Sequence, residues 1–224
     1  MGQELFFLKV ISAYVVLLGS VVFHEYFHAW MAQKLGDNSS SLLARLTLDP
    51  RPHIDILGTV ILPLTMLISG FLSGNPFLIG WAKPVPVNPY NLQNPKKDMM
   101  LIGALGPITN FMLAFCFTIL LKVGIFQSGS LAETLIAFAI FLNLILGIFN
   151  LIPLPPLDGS HILAGFLSPE VEIKYMRIQP FAFIILIFMS MTGILGLITF
   201  PIFHLWTHLF KLDFITPALN LLRM

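Results

Sequence analysis

Charged side chains are scarce in this sequence. Lys, Arg, Asp and Glu together make up only 10% of its 224 residues, whereas a typical soluble domain has about 25%. Twelve basic and eleven acidic residues leave a net charge of +1, so the chain lacks the positive surplus of a nucleic-acid-binding protein. The composition therefore argues against a soluble domain and against a nucleic-acid partner.

Cysteine is almost absent, since Cys116 is the only one. A single cysteine excludes a disulfide framework within the chain. The first residues also lack the basic region of a secretory signal peptide. We therefore interpret the first apolar run as a membrane span that is retained.

Apolar residues dominate what is present, at 57% of the sequence with a mean hydropathy of +0.88. We predict an all-α, multi-pass integral membrane protein in the lipid bilayer, forming a single domain over residues 1–224. The expected architecture is a bundle of about five transmembrane helices with one short extended or re-entrant segment. The apolar segments cover about 5–33, 56–72, 99–123, 131–152 and 180–210.

Local signals predict where these segments end or break. Gly36 follows Lys34 and is expected to stop the first helix. Pro63 is expected to interrupt the second segment, and Gly193 and Pro201 predict a kink or break in the fifth. Three basic residues in each of the first two connections leave the membrane orientation open.

The stretch from His24 to His28, with Glu25 between them, is the main chemical signal. Residues four apart share one helix face, so both imidazoles can bind one metal ion. Glu25 is placed to act on water at that ion. The bland alternative is a pair of core histidines, but three ionisable groups inside an apolar helix are costly to keep there.

Asp158 is the best candidate for a third metal ligand. It follows a stretch with Pro153, Pro155 and Pro156, which ends the preceding helix. Irregular backbone at membrane depth is tolerated only inside the protein or beside a water-filled cavity, so we expect this aspartate to face inward. A competing interpretation makes Asp158 a helix N-cap.

These motifs resemble those of the site-2 proteases, the intramembrane zinc metalloproteases. The resemblance covers most of the chain and includes HEYFH, NLIPLPPLDG and the GPxxN-like stretch at 106–110. The compact bacterial-type branch is the most similar, with its GWAKPVPVN stretch and no PDZ-like insertion. The resemblance implies one zinc per chain, held by His24, His28 and Asp158, with Glu25 catalytic.

The implied function is cleavage of a membrane-protein substrate that has a transmembrane segment, in the plasma (inner) membrane of a prokaryote. Two asparagines, Asn150 and Asn110, are candidate hydrogen-bond donors to the oxyanion of the reaction. Both have an alternative role as interhelical hydrogen-bonding groups. The oligomeric state is left open.

A second expectation concerns the extended, proline-rich segment between the second and third apolar runs. Its prolines fix φ and remove donors at alternate positions, which is typical of an edge strand. We predict that a substrate segment pairs with it, although a stiff connecting loop is the alternative. The segment comprises Lys83, Pro84, Val85, Pro86, Val87 and Asn88.

Other readings remain open from the sequence alone. A metal-ion transporter or a non-catalytic metal-binding membrane protein could use the same ligands, but neither needs a general base next to a ligand. His204 and His208 also lie four residues apart, and we interpret them as interfacial rather than as a second metal site. For His53 and Asp55 we prefer a place in a surface loop, with a role in orienting the connection or at the site as the alternative.

Overall fold

The structure is a computed structural model that describes residues 2–66, 80–127 and 129–212. Its described residues contain helices and no strand. The helices are α1 (Gly2–Lys34), α2 (Ser40–Leu43), α3 (Ile56–Met66), α4 (Pro95–Lys122), α5 (Leu131–Asn150), α6 (Asp158–Ala164), α7 (Pro169–Met176), α8 (Ala182–Met191) and α9 (Ile194–Phe210).

The predicted all-helical membrane fold is confirmed. Four stretches in the described part of the chain are long and apolar enough to cross a bilayer: Val10–Lys34, Pro95–Lys122, Leu131–Asn150 and Pro169–Met191. The last of these begins earlier than the predicted fifth segment. Gly193, in the left-handed conformation at φ 77°, ends it and separates it from α9. The predicted break in this segment is therefore present.

The second apolar segment differs from its prediction. Pro63 does not interrupt α3, which runs to Met66 and opens with π-helical turns over Ile56–Ile61. Those wider turns precede the proline, which has no N–H to donate to the helix. The remainder of the predicted segment, up to residue 72, lies outside the described residues.

Helix α4 is at the centre of the bundle and packs against α1, α5 and α6. On one side Ala114 meets Ile140 and Leu144 of α5 and Phe203 of α9 in a buried apolar cluster. Towards the other end Ile102 packs with Ala29 of α1 in a second cluster. Because α4 contacts every helix that carries a candidate site residue, its position sets the geometry of the site.

The connection after α1 is more buried than expected. His53 is fully buried, and its Nε2 atom lies 2.9 Å from the Thr47 carbonyl oxygen. Asp55 accepts a hydrogen bond from the Gly58 N–H and so caps α3. The surface-loop expectation was therefore wrong for His53, which is buried against the connection, whereas Asp55 is half-buried at the point where the connection enters α3.

Candidate metal centre

His24 and His28 lie on one face of α1, as the four-residue spacing predicts. Both are about 6% exposed, and their Nε2 atoms are 3.0 Å apart. The Nδ1 atom of His28 lies 2.7 Å from the Ile102 carbonyl oxygen, and that of His24 lies 2.6 Å from Asn110 Oδ1. Each imidazole is thus held by a group on α4 and points its other nitrogen at the same place.

Asp158 reaches the two histidines from α6. Its Oδ2 atom is 3.0 Å from His24 Nε2, and its Oδ1 atom is 3.3 Å from His28 Nε2. Helix α6 approaches α4 closely at Gly103, where an added Cβ would lie 3.0 Å from the Asp158 carbonyl oxygen. The absence of a side chain at Gly103 therefore lets the aspartate come within reach of α1.

Asp158 is not the helix N-cap that the alternative interpretation required. Leu157 occupies the N-cap position and Asp158 the first position of α6, with no side-chain capping bond. Burial alone would raise the pKa of Asp158, but the adjacent His28 and His24 outweigh burial and lower it. Its carboxylate is therefore available as an anionic ligand at neutral pH.

The hydrogen bonds of the two histidines leave lone pairs in the centre of the cluster. A backbone carbonyl only accepts, so Nδ1 of His28 carries a proton and donates it to Ile102. Two N–H groups cannot face each other at 3.0 Å, so at most one Nε2 is protonated. Asp158 Oδ2 is buried, and the imidazole nitrogen that faces it at 3.0 Å is Nε2 of His24. Such a cluster is unfavourable unless a cation lies between its members.

The size of the cluster suits a small tetrahedral metal ion. Bonds of about 2.0–2.1 Å from zinc to imidazole nitrogen imply ligand atoms about 3.3 Å apart in a regular tetrahedron. The three separations of 3.0, 3.0 and 3.3 Å need a change of only about 0.3 Å to reach that value. These are the only three residues in the described part of the chain that form a candidate metal cluster.

Glu25 turns towards the extended segment. Its Oε2 atom accepts a hydrogen bond of 3.2 Å from the Val85 backbone N–H. Both residues line a cavity of about 250 Å³ that also contains the three candidate ligands. Since Glu25 is only partly buried, its carboxylate can reach water in that cavity.

The extended segment forms no regular strand, contrary to the edge-strand prediction. The Val87 N–H bonds the Val85 carbonyl oxygen at 3.1 Å, which closes a γ-turn around Pro86. Proline suits the central position of such a turn because its φ is already near the required value. Among the described residues no donor contacts the carbonyl oxygens of Pro84 and Pro86.

Two buried charged side chains hold the ends of this segment. Arg45 donates from Nη1 to the Lys83 carbonyl oxygen at 3.0 Å. Asp37, which is fully buried, accepts from the Asn88 N–H at 2.7 Å and from Asn91 Nδ2 at 2.8 Å. Burial raises the pKa of Asp37, but the hydrogen bonds from Asn88, Asn91 and Ser39 lower it by more. The ionised carboxylate therefore anchors the segment to the end of α1.

The two candidate oxyanion donors occupy different surroundings. Asn150 lines the cavity, and its amide donates to the Leu146 carbonyl oxygen one turn earlier in α5. Asn110 is fully buried, accepts from His24 and donates to Asn143 Oδ1 at 2.9 Å. The position predicted for Asn110 as an oxyanion donor is therefore not supported, because its NH2 group faces away from the cavity.

His161, three residues after Asp158, also lines the cavity. Burial lowers the pKa of its imidazole, so the ring is neutral at pH 7. The His204 and His208 side chains are exposed on α9 and form no metal cluster within the described residues. The three candidate ligands, Glu25, Asn150 and His161 thus all line the same cavity between α1, α4 and α6.

Gly106 has a role that the sequence analysis did not assign. A Cβ added there would lie 2.3 Å from His28 Nε2 and 2.7 Å from His24 Cε1. The bare backbone of α4 at this point leaves room for both imidazoles. The signal was available in the sequence as a helical glycine one turn before Asn110, but only the packing of α4 on α1 gives it a meaning.

Comparisons with known proteins bear on this site. A family model described as Peptidase family M50 matches residues 122–193. The chain is 32% identical over 197 residues to “Putative zinc metalloprotease YwhC” of Bacillus subtilis (strain 168), covering 85% of this chain and 84% of that protein. It is 28% identical over 188 residues to “Putative zinc metalloprotease Rip2” of Mycobacterium tuberculosis (strain H37Rv), covering 83% and 68%.

An archaeal relative matches a shorter stretch. “Putative zinc metalloprotease MJ0611” of Methanocaldococcus jannaschii is 36% identical over 97 residues, covering 43% of this chain and 50% of that protein. No solved structure matches significantly. The long bacterial matches span much more of the chain than the 72 residues of the family model.

Proposed function

Since the chain belongs to peptidase family M50, we propose that it is an intramembrane endopeptidase that cleaves membrane-protein substrates in or near their transmembrane segments. Membership of the family makes the chain a zinc metalloprotease and an integral membrane protein, and its bacterial relatives indicate the inner membrane of a prokaryote. Beyond what family membership implies, we assign the depth in the membrane at which cleavage occurs and the residues that perform it.

The depth of the candidate site in α1 is the observation that carries this proposal. His24 lies 14 residues after Val10 and 10 before Lys34 in the candidate span Val10–Lys34. At about 1.5 Å per residue, these separations correspond to about 21 Å and about 15 Å along the helix axis. A hydrolytic centre at that depth favours substrates that are themselves in the membrane.

In this proposal His24, His28 and Asp158 hold the zinc ion. When bound, zinc supplies Lewis acidity, which polarises a peptide carbonyl and lowers the pKa of water. Glu25 accepts a proton from the attacking water and later delivers it to the leaving amine. Its position one residue after a ligand, with its carboxylate in the same cavity, supports this role.

The segment from Lys83 to Asn88 would present the substrate main chain to the site. Its Val85 N–H donates to Glu25 Oε2 in this structure. A substrate carbonyl that takes over this N–H would release the Glu25 carboxylate for proton transfer. The anchoring of both ends of the segment by Arg45 and Asp37 supports this role, because an extended substrate needs a fixed partner.

Asn150 remains the candidate donor to the oxyanion that forms during hydrolysis. Only one of its two amide hydrogens is needed for the bond to Leu146, so the second is free to point into the cavity. For Asn110 we replace the predicted direct role with an orienting role towards His24.

The decisive experiment compares Glu25→Gln with the parent protein, purified in full length and reconstituted in vesicles with a single-span reporter substrate. We expect the variant to retain one zinc per chain by elemental analysis and to lose cleavage by at least about a hundredfold, the scale of a general base. Glu170→Gln, an exposed glutamate on α7, is the matched control and should behave like the parent.

Two outcomes would contradict the proposal. Cleavage by Glu25→Gln at the parental rate would remove the assigned base. If the parent protein carried zinc ions into the vesicles and did not cleave the reporter, the metal-ion transporter would be favoured instead. His24→Ala and Asp158→Ala should each lower the zinc content, and unchanged zinc in both would refute the ligand set.

A further inference from the structure

A continuous chain of hydrogen bonds leads from the backbone of α1 to the imidazole of His24. Ser20 Oγ donates to the Val16 carbonyl oxygen at 2.8 Å, and Asn143 Nδ2 donates to Ser20 Oγ at 2.9 Å. Asn110 Nδ2 donates to Asn143 Oδ1 at 2.9 Å, and Asn110 Oδ1 meets His24 Nδ1 at 2.6 Å. This series of hydrogen bonds runs from α1 to α5, then to α4, and back to α1.

Every member of this chain is shielded from solvent. Asn110 and Asn143 are fully buried, and Ser20 is 4% exposed. Side-chain amides in an apolar bundle are unfavourable unless their hydrogen bonds are satisfied. Asn143 satisfies this condition, since its NH2 group donates both to Ser20 and to the Ala139 carbonyl oxygen at 2.8 Å.

Which group donates at each hydrogen bond of this series is determined by the Ala139 carbonyl, at the end far from His24. Backbone carbonyls only accept hydrogen bonds, so the group that faces Ala139 must be the NH2 group of the Asn143 amide. The Asn143 oxygen therefore faces Asn110, which has to present its own NH2 group there. The Asn110 oxygen is then left for His24, whose Nδ1 must carry the proton. Neither the Asn110 amide nor the Asn143 amide can be flipped without placing two donors or two acceptors in contact.

We propose that Asn143 is a positioning residue that locks the orientation of the Asn110 amide and thereby the tautomer of His24. With the proton on Nδ1, the Nε2 lone pair of His24 is directed at the metal position beside Asp158. His28 needs no such relay, because a backbone carbonyl holds its Nδ1 directly. The inference rests on the proposed ligand role of His24.

The alternative is that Asn143 is only an interhelical hydrogen-bonding residue that stabilises the bundle. Thr118 provides a matched example of that role. It is fully buried on α4, and its Oγ1 accepts a hydrogen bond from Trp206 Nε1 of α9 at 3.1 Å, with no link to the histidines. Thr118→Val therefore removes an interhelical hydrogen bond of α4 at a residue that has no contact with the two histidines.

The test measures the zinc affinity of the full-length protein in detergent by competition with a chelator of known affinity. We expect Asn143→Leu to weaken zinc binding by about 10- to 100-fold, the range typical of lost partners of metal-binding histidines. Thr118→Val should leave the affinity within about twofold of the parent. Ser20→Ala should have a small effect, because the bond to Ala139 still orients the Asn143 amide.

A double variant separates orientation from folding. A carboxylate at position 110 has two equivalent oxygens and cannot be turned the wrong way, so Asn110→Asp still accepts the His24 proton without help from Asn143. We expect Asn110→Asp combined with Asn143→Leu to regain at least tenfold of the zinc affinity that Asn143→Leu loses. Such a rescue would also show that the bundle folds without the Asn143 side chain.

Two results would overturn the proposed role of Asn143, and a third would overturn the ligand role of His24 on which it rests. Parental zinc affinity in Asn143→Leu, while His24→Ala loses zinc, would remove the relay and leave the ligand set intact. An equal loss in Asn143→Leu and in the double variant would show that Asn143 acts through packing alone. Unchanged zinc in His24→Ala would refute the ligand assignment itself, whatever Asn143 does.

Discussion

Replacing Gly106 with alanine is the most direct way to test the geometry of the metal centre. The added Cβ would lie 2.3 Å from His28 Nε2, whereas ordinary contacts begin at about 3.4 Å. The imidazole or helix α4 would have to move by about 1.1 Å, the difference between these two distances. Ligand positions at a functional metal site are matched to within about 0.2 Å, so a shift of this size removes a ligand from the ion.

We expect Gly106→Ala to lower zinc affinity by about a hundredfold or more, because both histidines contact the new methyl group. The strain should also cost about 1–3 kcal/mol of stability, as overpacking does elsewhere. The assay is chelator competition on the purified protein, combined with thermal unfolding in the same detergent. Cleavage of the reporter should fall in parallel with the zinc content.

Two other helical glycines provide a graded comparison. A Cβ at Gly19 of α1 would meet no atom within 4 Å, so Gly19→Ala should bind zinc like the parent. A Cβ at Gly103 would lie 3.0 Å from the Asp158 carbonyl oxygen and from His161 Cβ, so its effect should be intermediate. If Gly106→Ala held zinc as tightly as Gly19→Ala, the close approach of α4 to the two histidines would be refuted.

Three further predictions concern the surroundings of the site. Val85→Pro removes the N–H that bonds Glu25 and should leave the zinc content unchanged while lowering cleavage at least tenfold; parental cleavage would show that the substrate does not use this N–H. Because the folded-state pKa of Asp37 lies below its ordinary value of about 3.9, its stabilising effect is complete above that pH and is lost as the pH falls below it. The difference in thermal midpoint between the parent and Asp37→Asn should therefore be largest at neutral pH and shrink below about pH 4, and a constant difference would contradict the anchoring role. Removing zinc with a chelator should lower the thermal midpoint of the parent, and zinc should restore it, whereas Asp158→Ala should respond to neither treatment.

The sequence determined the parts of the site that depend on local periodicity. Helical spacing places His24 and His28 on one face of α1, and the structure has them there with Nε2 atoms 3.0 Å apart. Gly36, with φ of 117°, follows the end of α1 where the stop signal predicted it. These features involve residues a few positions apart, whose relative placement follows from the helix itself.

Of the interruptions predicted in the apolar runs, the one at Gly193 is confirmed and the one at Pro63 is wrong. The break is present at Gly193, whose left-handed conformation is favourable for a residue without a Cβ. The expected interruption at Pro63 is absent: α3 continues to Met66, with π-helical turns ahead of the proline. A proline in an apolar run thus indicates a local irregularity in α3, while the surrounding structure decides whether the helix ends.

The tertiary structure alone decided which distant groups meet. It brought Asp158 to within 3.0 Å of His24, a contact between residues 134 positions apart that no local pattern specifies. It turned the Asn110 amide towards His24 and linked it to Asn143. It also gave Gly106 its role as a gap beside the imidazoles. Each of these depends on how closely α4 packs against α1, α5 and α6, which is set by contacts between whole helices and not by the order of residues within one.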